Sequence, residues 1–216
     1  KTTLLVAKLA ILGAKWPHAR RGICVLSHTN VARQEIESKL AGSAVGHRLL
    51  AYPHFVGTIH GFVNEFLALP LLRSKGHHVR LIDDEACFSW VKRRLMSWPT
   101  QGRLGNLPHR ERTLDAAIWA LIGTQEETRP TAPSGISDKQ WDVLLQAKSD
   151  AVERGLWYYA DMFRWAESLL AQQPEVAGFT RWRFPAVFLD ETQDTSELQG
   201  ILLNRIFPTV ACDLRQ

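Results

Sequence analysis

The sequence predicts an α/β fold: an open parallel sheet covered by helices, with a mostly helical subdomain inserted between two parts of the sheet. Three observations carry this. Short apolar, partly β-branched runs at residues 23–26, 55–59 and 184–189 alternate with stretches of helical period. Between Leu81 and Thr180 no convincing strand is found, and four helical stretches fill the interval. The strand-and-helix alternation then returns at Phe184.

Each element has a local reason. Residues 2–12 read as a helix that Gly13 can end. Ile23-Cys24-Val25-Leu26 follows the basic turn Arg20-Arg21-Gly22 and reads as a buried strand. Residues 27–30 are a polar crossing into a helix over 31–40, whose inner face is Ala32, Ile36 and Leu40. Residues 55–59 form a second strand, and a helix over 61–69 ends before Pro70. In the middle, helices are expected over 86–98, 110–122, 138–154 and 158–172. The acids Asp83, Asp84 and Glu85 sit at the positive end of the first. Residues 124–135, with Pro130 and Pro133, read as a loop. Pro185 sits at the beginning of the strand over 184–189, where a missing donor is tolerated. Ser196 caps a helix running to Ile206, and residues 209–212 make a final strand.

Composition limits the possibilities. The chain has 216 residues, 45% apolar and 22% charged, with a formal net charge of +4. That excludes collagen-like and low-complexity chains, and it permits nucleic-acid contact without demonstrating it. No uninterrupted apolar run of about 18 residues occurs, so no membrane span is expected. Cys24, Cys87 and Cys212 lie far apart, which is neither a disulfide framework nor a zinc spacing, and fits a reducing, cytoplasmic setting. His77 and His78 are adjacent and would point different ways, so they make no metal pair. The eight tryptophans read as core packing, with Trp157, Tyr158 and Tyr159 packing the insertion and Trp182 helping the chain return to the sheet. Lys92-Arg93-Arg94 reads as a solvated helix face, with phosphate contact as the alternative. The chain opens on Lys1 directly at a helix, without a methionine or a signal peptide, as expected of a piece cut from something larger.

Two local patterns carry chemistry. Val187-Phe188-Leu189 delivers Asp190 and Glu191 at the carboxyl end of a strand, the edge at which open parallel sheets bind ligands. In nucleotide hydrolysis the first acid can hold magnesium through water and the second can orient or deprotonate the attacking water. Lys1-Thr2 at the mouth of a helix matches the end of a phosphate-binding loop, although the preceding glycines are not in the chain. The pair is uninformative alone and gains weight from its position ahead of the acidic strand end.

Four further segments complete the pattern. Residues 27–36, Ser-His-Thr-Asn-Val-Ala-Arg-Gln-Glu-Ile, resemble motif Ia of UvrD/Rep-type superfamily 1 DNA helicases. Thr58-Ile59-His60-Gly61-Phe62 resembles motif Ib, residues 190–196 resemble motif II, and residues 212–216 resemble motif III in degenerate form, with Cys212 where a glycine is usual. Lys1-Thr2 would close motif I. The resemblance implies a P-loop NTPase (RecA-like) sheet, divided as domain 1A over 1–66 and 181–216 around a helical domain 1B over 67–180. It implies ATP and Mg2+ as cofactors: Lys1 on the β/γ-phosphates, Thr2 and Asp190 on magnesium, Glu191 activating water, and Gln216 reaching the γ-phosphate. Thr29 and Asn30 would touch the single-strand backbone, with His60 and Phe62 lining its path; a phenyl ring offers any base a face for stacking. No role is assigned to His28.

The activity implied is that of the ATP- and DNA-binding N-terminal part of a 3′–5′ DNA helicase or translocase. Its partners would be single-stranded and duplex DNA and a second motor domain of the same parent, with no membrane. Such an isolated piece is expected to hydrolyse ATP negligibly. General repair, recombination and phage-defence helicases share these motifs, and the wording around Ser27 and Thr58 leans toward a Gabija-type defence subunit with a nuclease or defence partner. Two other readings stay open: a non-catalytic DNA-binding or docking module of a degenerate relative, and another P-loop NTPase.

Overall fold

The computed structural model describes residues 2–97, 99–122 and 130–208. In chain order the elements are α1 (Thr2–Ala14), β1 (Ile23–Ser27), α2 (Asn30–Ala41), α3 (Gly46–Leu49), β2 (Phe55–Thr58), α4 (Ile59–Val63), a π-helical turn (Asn64–Ala68), α5 (Leu69–Ser74), β3 (Leu81–Ile82) and α6 (Asp84–Met96). They continue with α7 (Thr100–Arg103), α8 (Glu111–Trp119), α9 (Asp138–Glu153), β4 (Leu156–Trp157), α10 (Tyr159–Gln172), α11 (Glu175–Arg183), β5 (Ala186–Leu189) and α12 (Glu197–Ile206). Two compact units emerge: Lys1–Leu67 with Glu167–Gln216, and Ala68–Ala166. The sequence division placed the insertion at 67–180. The expected strand over 209–212 lies outside the described residues.

The first unit is built on a parallel sheet ordered β2-β1-β5. Each strand is only four or five residues long. All five residues of the central strand β1 are buried, as two covered faces and two hydrogen-bonded neighbours require. Cys24 stands opposite Phe55 on one side and Val187 on the other, and Leu26 stands between Gly57 and Leu189. One face packs against Leu5 and Leu9 of α1 and Ile36 and Leu40 of α2. A second apolar group is aromatic: Phe55, Phe66, Phe184 and Phe207 all have ring centroids within 6.0 Å of Phe62.

Where the strands begin, hydrogen bonds pin the sheet. Gly22 is required there because a Cβ would collide with the Pro53 carbonyl. The Ile23 amide donates to Nδ1 of the buried His54 at 3.0 Å. That acceptor role demands a neutral ring. Burial first, and then the charges of Arg48 and Arg183, hold the His54 pKa below its ordinary value.

The second unit is mostly helical. Trp141, Leu144, Leu95 and Tyr158 lie at the centre of its core. Lys148 and Asp161 form a buried ion pair at 2.8 Å, and the ammonium also donates to the Leu121 carbonyl. Such a pair tolerates burial because each partner is further hydrogen-bonded; the Tyr158 amide donates to Asp161. Burial pushes the neighbouring Cys87 thiol up to about 12. Lys92 is paired with Asp115 and Glu111, and Arg94 with Asp150, so two charges of the basic run are neutralised within this unit. Trp157 and Tyr158 are buried, as expected, whereas Tyr159 is exposed.

Two local expectations need correction. The interval from 81 to 180 does contain strands: β3 and β4 pair in parallel through Leu81–Leu156 and Ile82–Trp157. Two residues each are too few to leave a periodic signal. The helical path also does not stop before Pro70. It passes through the π-helical turn, and Pro70 lies in the first turn of α5, where the missing donor costs little.

The His54 contact makes the first unit acid-sensitive with a defined sign. The folded state binds this proton less readily than the unfolded chain, so the contribution is full above the ordinary histidine pKa of about 6.5 and is lost as pH falls through the lower folded value. Urea denaturation midpoints between about pH 7 and 5 should therefore fall on acidification, and less steeply in a His54→Asn variant that keeps a non-titrating acceptor.

Candidate nucleotide and nucleic-acid site

Three strand ends meet at one edge of the first unit's sheet. Parallel register sets Ser27 of β1 beside Thr58 of β2, and Leu26 beside Leu189 of β5. The segments that follow these strands are therefore neighbours: 28–30, 59–62 and 190–195. This edge is the carboxyl end of every strand, the ligand-binding side of an open parallel sheet.

Each connection is held by short-range chemistry. After β1 the Thr29 hydroxyl accepts from the Ala32 amide at 3.1 Å and caps α2. After β2 the Thr58 hydroxyl accepts from the Gly61 amide at 3.0 Å and caps α4. The Ser27 hydroxyl donates to the Thr29 carbonyl at 3.2 Å, fixing the first bend. Thr29 and Asn30 are exposed at the amino end of α2, where free amides and the helix dipole favour an anion.

The acid pair follows β5. The Asp190 amide donates to the Leu26 carbonyl at 2.9 Å, which extends the strand pairing by one residue. Asp190 is half-buried and Glu191 exposed. Glu191 has φ 52° and ψ 52°, the left-handed region, alone among the described non-glycine residues in having positive φ. A left-handed glutamate costs of order 1–2 kcal/mol. The turn Thr192–Asp194 follows, and then Ser196 caps α12 in a reciprocal capping box with Gln199. The Ser196 cap is therefore where the sequence places it.

His28 is the residue that sequence reasoning passed over. Its Nε2 lies 3.2 Å from the Thr195 hydroxyl and ties the segment after β1 to the one after the acid pair. The partners are 167 positions apart, so no spacing could reveal them. Thr2 opens α1. His60 is half-buried in α4. Lys1 and Gln216 lie outside the described residues, as does the segment at 212–216.

Phe62 requires a correction. It is wholly buried among the phenylalanines of the first unit, and a ring without exposed surface offers no face to a base. A cavity of about 230 Å³ lies against β5 and α12, lined by Val187, Leu189, Leu203 and Phe207 among others. Its mostly apolar walls suit packing better than a triphosphate.

The oxygen donors at this edge, the Asp190 carboxylate above all, are hard ligands of the kind magnesium takes alongside water and phosphate. Among the described residues no cluster of three or more His, Cys, Asp or Glu forms a closed metal cage, and no helix is long and apolar enough to cross a membrane.

The parallel α/β sheet with acids at a strand's carboxyl end defines a mixed α/β protein of P-loop NTPase, RecA-like architecture. The family model for the UvrD/REP helicase N-terminal domain matches residues 1–212, and the chain belongs to that family. It is 25% identical over 215 residues to DNA helicase II of Salmonella typhimurium and, equally, to DNA helicase II of Escherichia coli. It is 23% identical over 213 residues to DNA helicase II of Haemophilus influenzae. These alignments cover 92% of the chain and 27% of each relative, so the chain spans about a quarter of their length.

Two substitutions separate structure from chemistry here. Phe62→Ala should cost roughly 3–5 kcal/mol of unfolding free energy, the ordinary cost of emptying an aromatic core position; a stacking residue at the surface would cost far less. Glu191→Gly should leave the chain equally stable or more stable by up to about 1 kcal/mol, since glycine adopts positive φ without strain. Thermal and urea denaturation read both.

Proposed function

We propose that the chain is the N-terminal ATP- and DNA-binding part of an ATP-dependent 3′–5′ DNA helicase or translocase. The observation that supports this most is the convergence of three strand ends on one sheet edge, one carrying adjacent acids and another a capped, exposed helix start. Family membership and the name of the relatives, DNA helicase II, agree with it.

The roles proposed are those that the resemblance implies. Asp190 and Thr2 would hold Mg2+, and Lys1 and Gln216 would meet the phosphates. The bound ion would supply neutralising charge for the phosphoryl group. Glu191, exposed one residue beyond the strand, would orient the attacking water and accept its proton. Thr29 and Asn30 would hold the single-strand backbone by hydroxyl, amide and helix-end contacts, which position the strand without reading its sequence. His60 would line the same path from α4. Through His28 and Thr195, a shift of the acid-bearing segment would be felt directly in the segment that grips the strand. A second motor domain of the parent would complete the nucleotide cleft, and the parent would work in the cytoplasm.

The test is steady-state ATP hydrolysis by the full-length parent, with and without single-stranded DNA. Hydrolysis should be DNA-stimulated. Glu191→Gln should keep nucleotide affinity and lose turnover by roughly 10²–10⁴-fold. Unstimulated hydrolysis, or a Glu191→Gln variant that turns over like the parent, would remove the reading.

A further inference from the structure

The sheet edge opposite the acid pair carries a second preformed surface. Residues 16–22 lead into β1, residues 47–54 into β2 and residues 181–184 toward β5. These segments contain Arg20, Arg21, Arg48, Arg181 and Arg183, and no aspartate or glutamate. Hydrogen bonds lock them together. The Gly22 amide donates to the Arg183 carbonyl at 2.8 Å, and Arg21 Nε donates to the Trp182 carbonyl at 2.9 Å. Trp16 Nε1 donates to the Arg21 carbonyl at 2.7 Å, and Arg48 Nη2 donates to the Trp16 carbonyl at 2.9 Å. Arg183 donates to the carbonyl of Pro53.

These contacts orient the arginines without neutralising them. Among the described residues, Arg21, Arg48 and Arg183 have no carboxylate partner; their guanidinium groups meet carbonyls and rings, and Arg20, whose carbonyl accepts from Arg183, is exposed beside them. Arg21 lies 5.9 Å from the centre of the Trp182 ring, and Arg183 lies 4.8 Å from that of Tyr52. Both rings face solvent, Trp182 at 57% and Tyr52 at 71% exposure. Trp182 thus does not simply fill the core where the chain returns to the sheet.

We infer that this edge binds single-stranded nucleic acid, with phosphates on the arginines and bases against Trp182 and Tyr52. The charge selects a polyanion. The rings select one that carries flat faces, which an acidic peptide lacks and every nucleotide supplies. Because the segments are already tied to one another, little ordering opposes binding. The inference stands on charge and exposure at this edge and does not rest on ATP hydrolysis or on the Thr29–Asn30 contact.

The test is fluorescence anisotropy of a labelled oligothymidylate of roughly 20 nucleotides, titrated with the chain over a range of salt. A Thr29→Ala, Asn30→Ala background removes the contribution of the opposite edge. In that background binding should persist. Trp182→Ala and, separately, Tyr52→Ala should each weaken it about tenfold, as loss of one stacked base does. Arg20→Gln should lower the salt slope by roughly one. Far-ultraviolet circular dichroism checks folding, and two aromatic variants in separate segments keep the result readable if one does not fold. Wild-type affinity in both aromatic variants would overturn the inference. So would a polyglutamate peptide that binds in a Trp182-dependent way while the oligonucleotide does not, or loss of all binding in the Thr29→Ala, Asn30→Ala background.

Discussion

The register of β1 with its two neighbours decides almost everything about the first unit. Parallel pairing sends all three strands in one direction, so their carboxyl ends share one edge and their amino ends the other. The strands are too short to hold that register by hydrogen bonds alone. The burial of β1 on both faces, under α1 and α2 on one side, provides the rest. A one-residue slip would move Asp190 away from the level of Ser27 and break the Asp190–Leu26 contact that places the acid pair.

The same register gives the two edges different chemistry. One edge is exposed hydroxyl, amide and carboxylate groups after the strands, including a helix start and a left-handed glutamate. The other is guanidinium and aromatic groups before the strands, held by carbonyls. Among the described non-glycine residues, positive φ occurs at Glu191 alone, on the acid edge, as expected where a side chain must be aimed rather than merely packed.

Sequence revealed what is local and concealed what is assembled. The apolar runs of β1, β2 and β5 and the cap at Ser196 are visible because their signals lie within a few residues. Segment order and the acids after β5 are legible for the same reason. The burial of Phe62 is not, since its partners Phe55, Phe184 and Phe207 come from three separate segments. Trp182 reads as core by composition, yet Arg21, which holds it at the surface, arrives from the turn before β1. His28 meets Thr195 only because parallel strands bring their loops together. Helix α11 and the two-residue strands β3 and β4 gave no periodic pattern long enough to read.

The two described cysteines have a practical consequence. Cys24 sits wholly enclosed in the middle of the sheet unit and Cys87 in the core of the helical unit, and burial raises the pKa of both thiols. Each is inert to alkylating reagents while its own surroundings stay closed, because attack needs both access and the thiolate. With Cys212 replaced, the chain therefore carries one natural clock per unit. Pulse alkylation followed by peptide mass measurement would time the breathing of sheet and helices separately, without introducing a foreign probe.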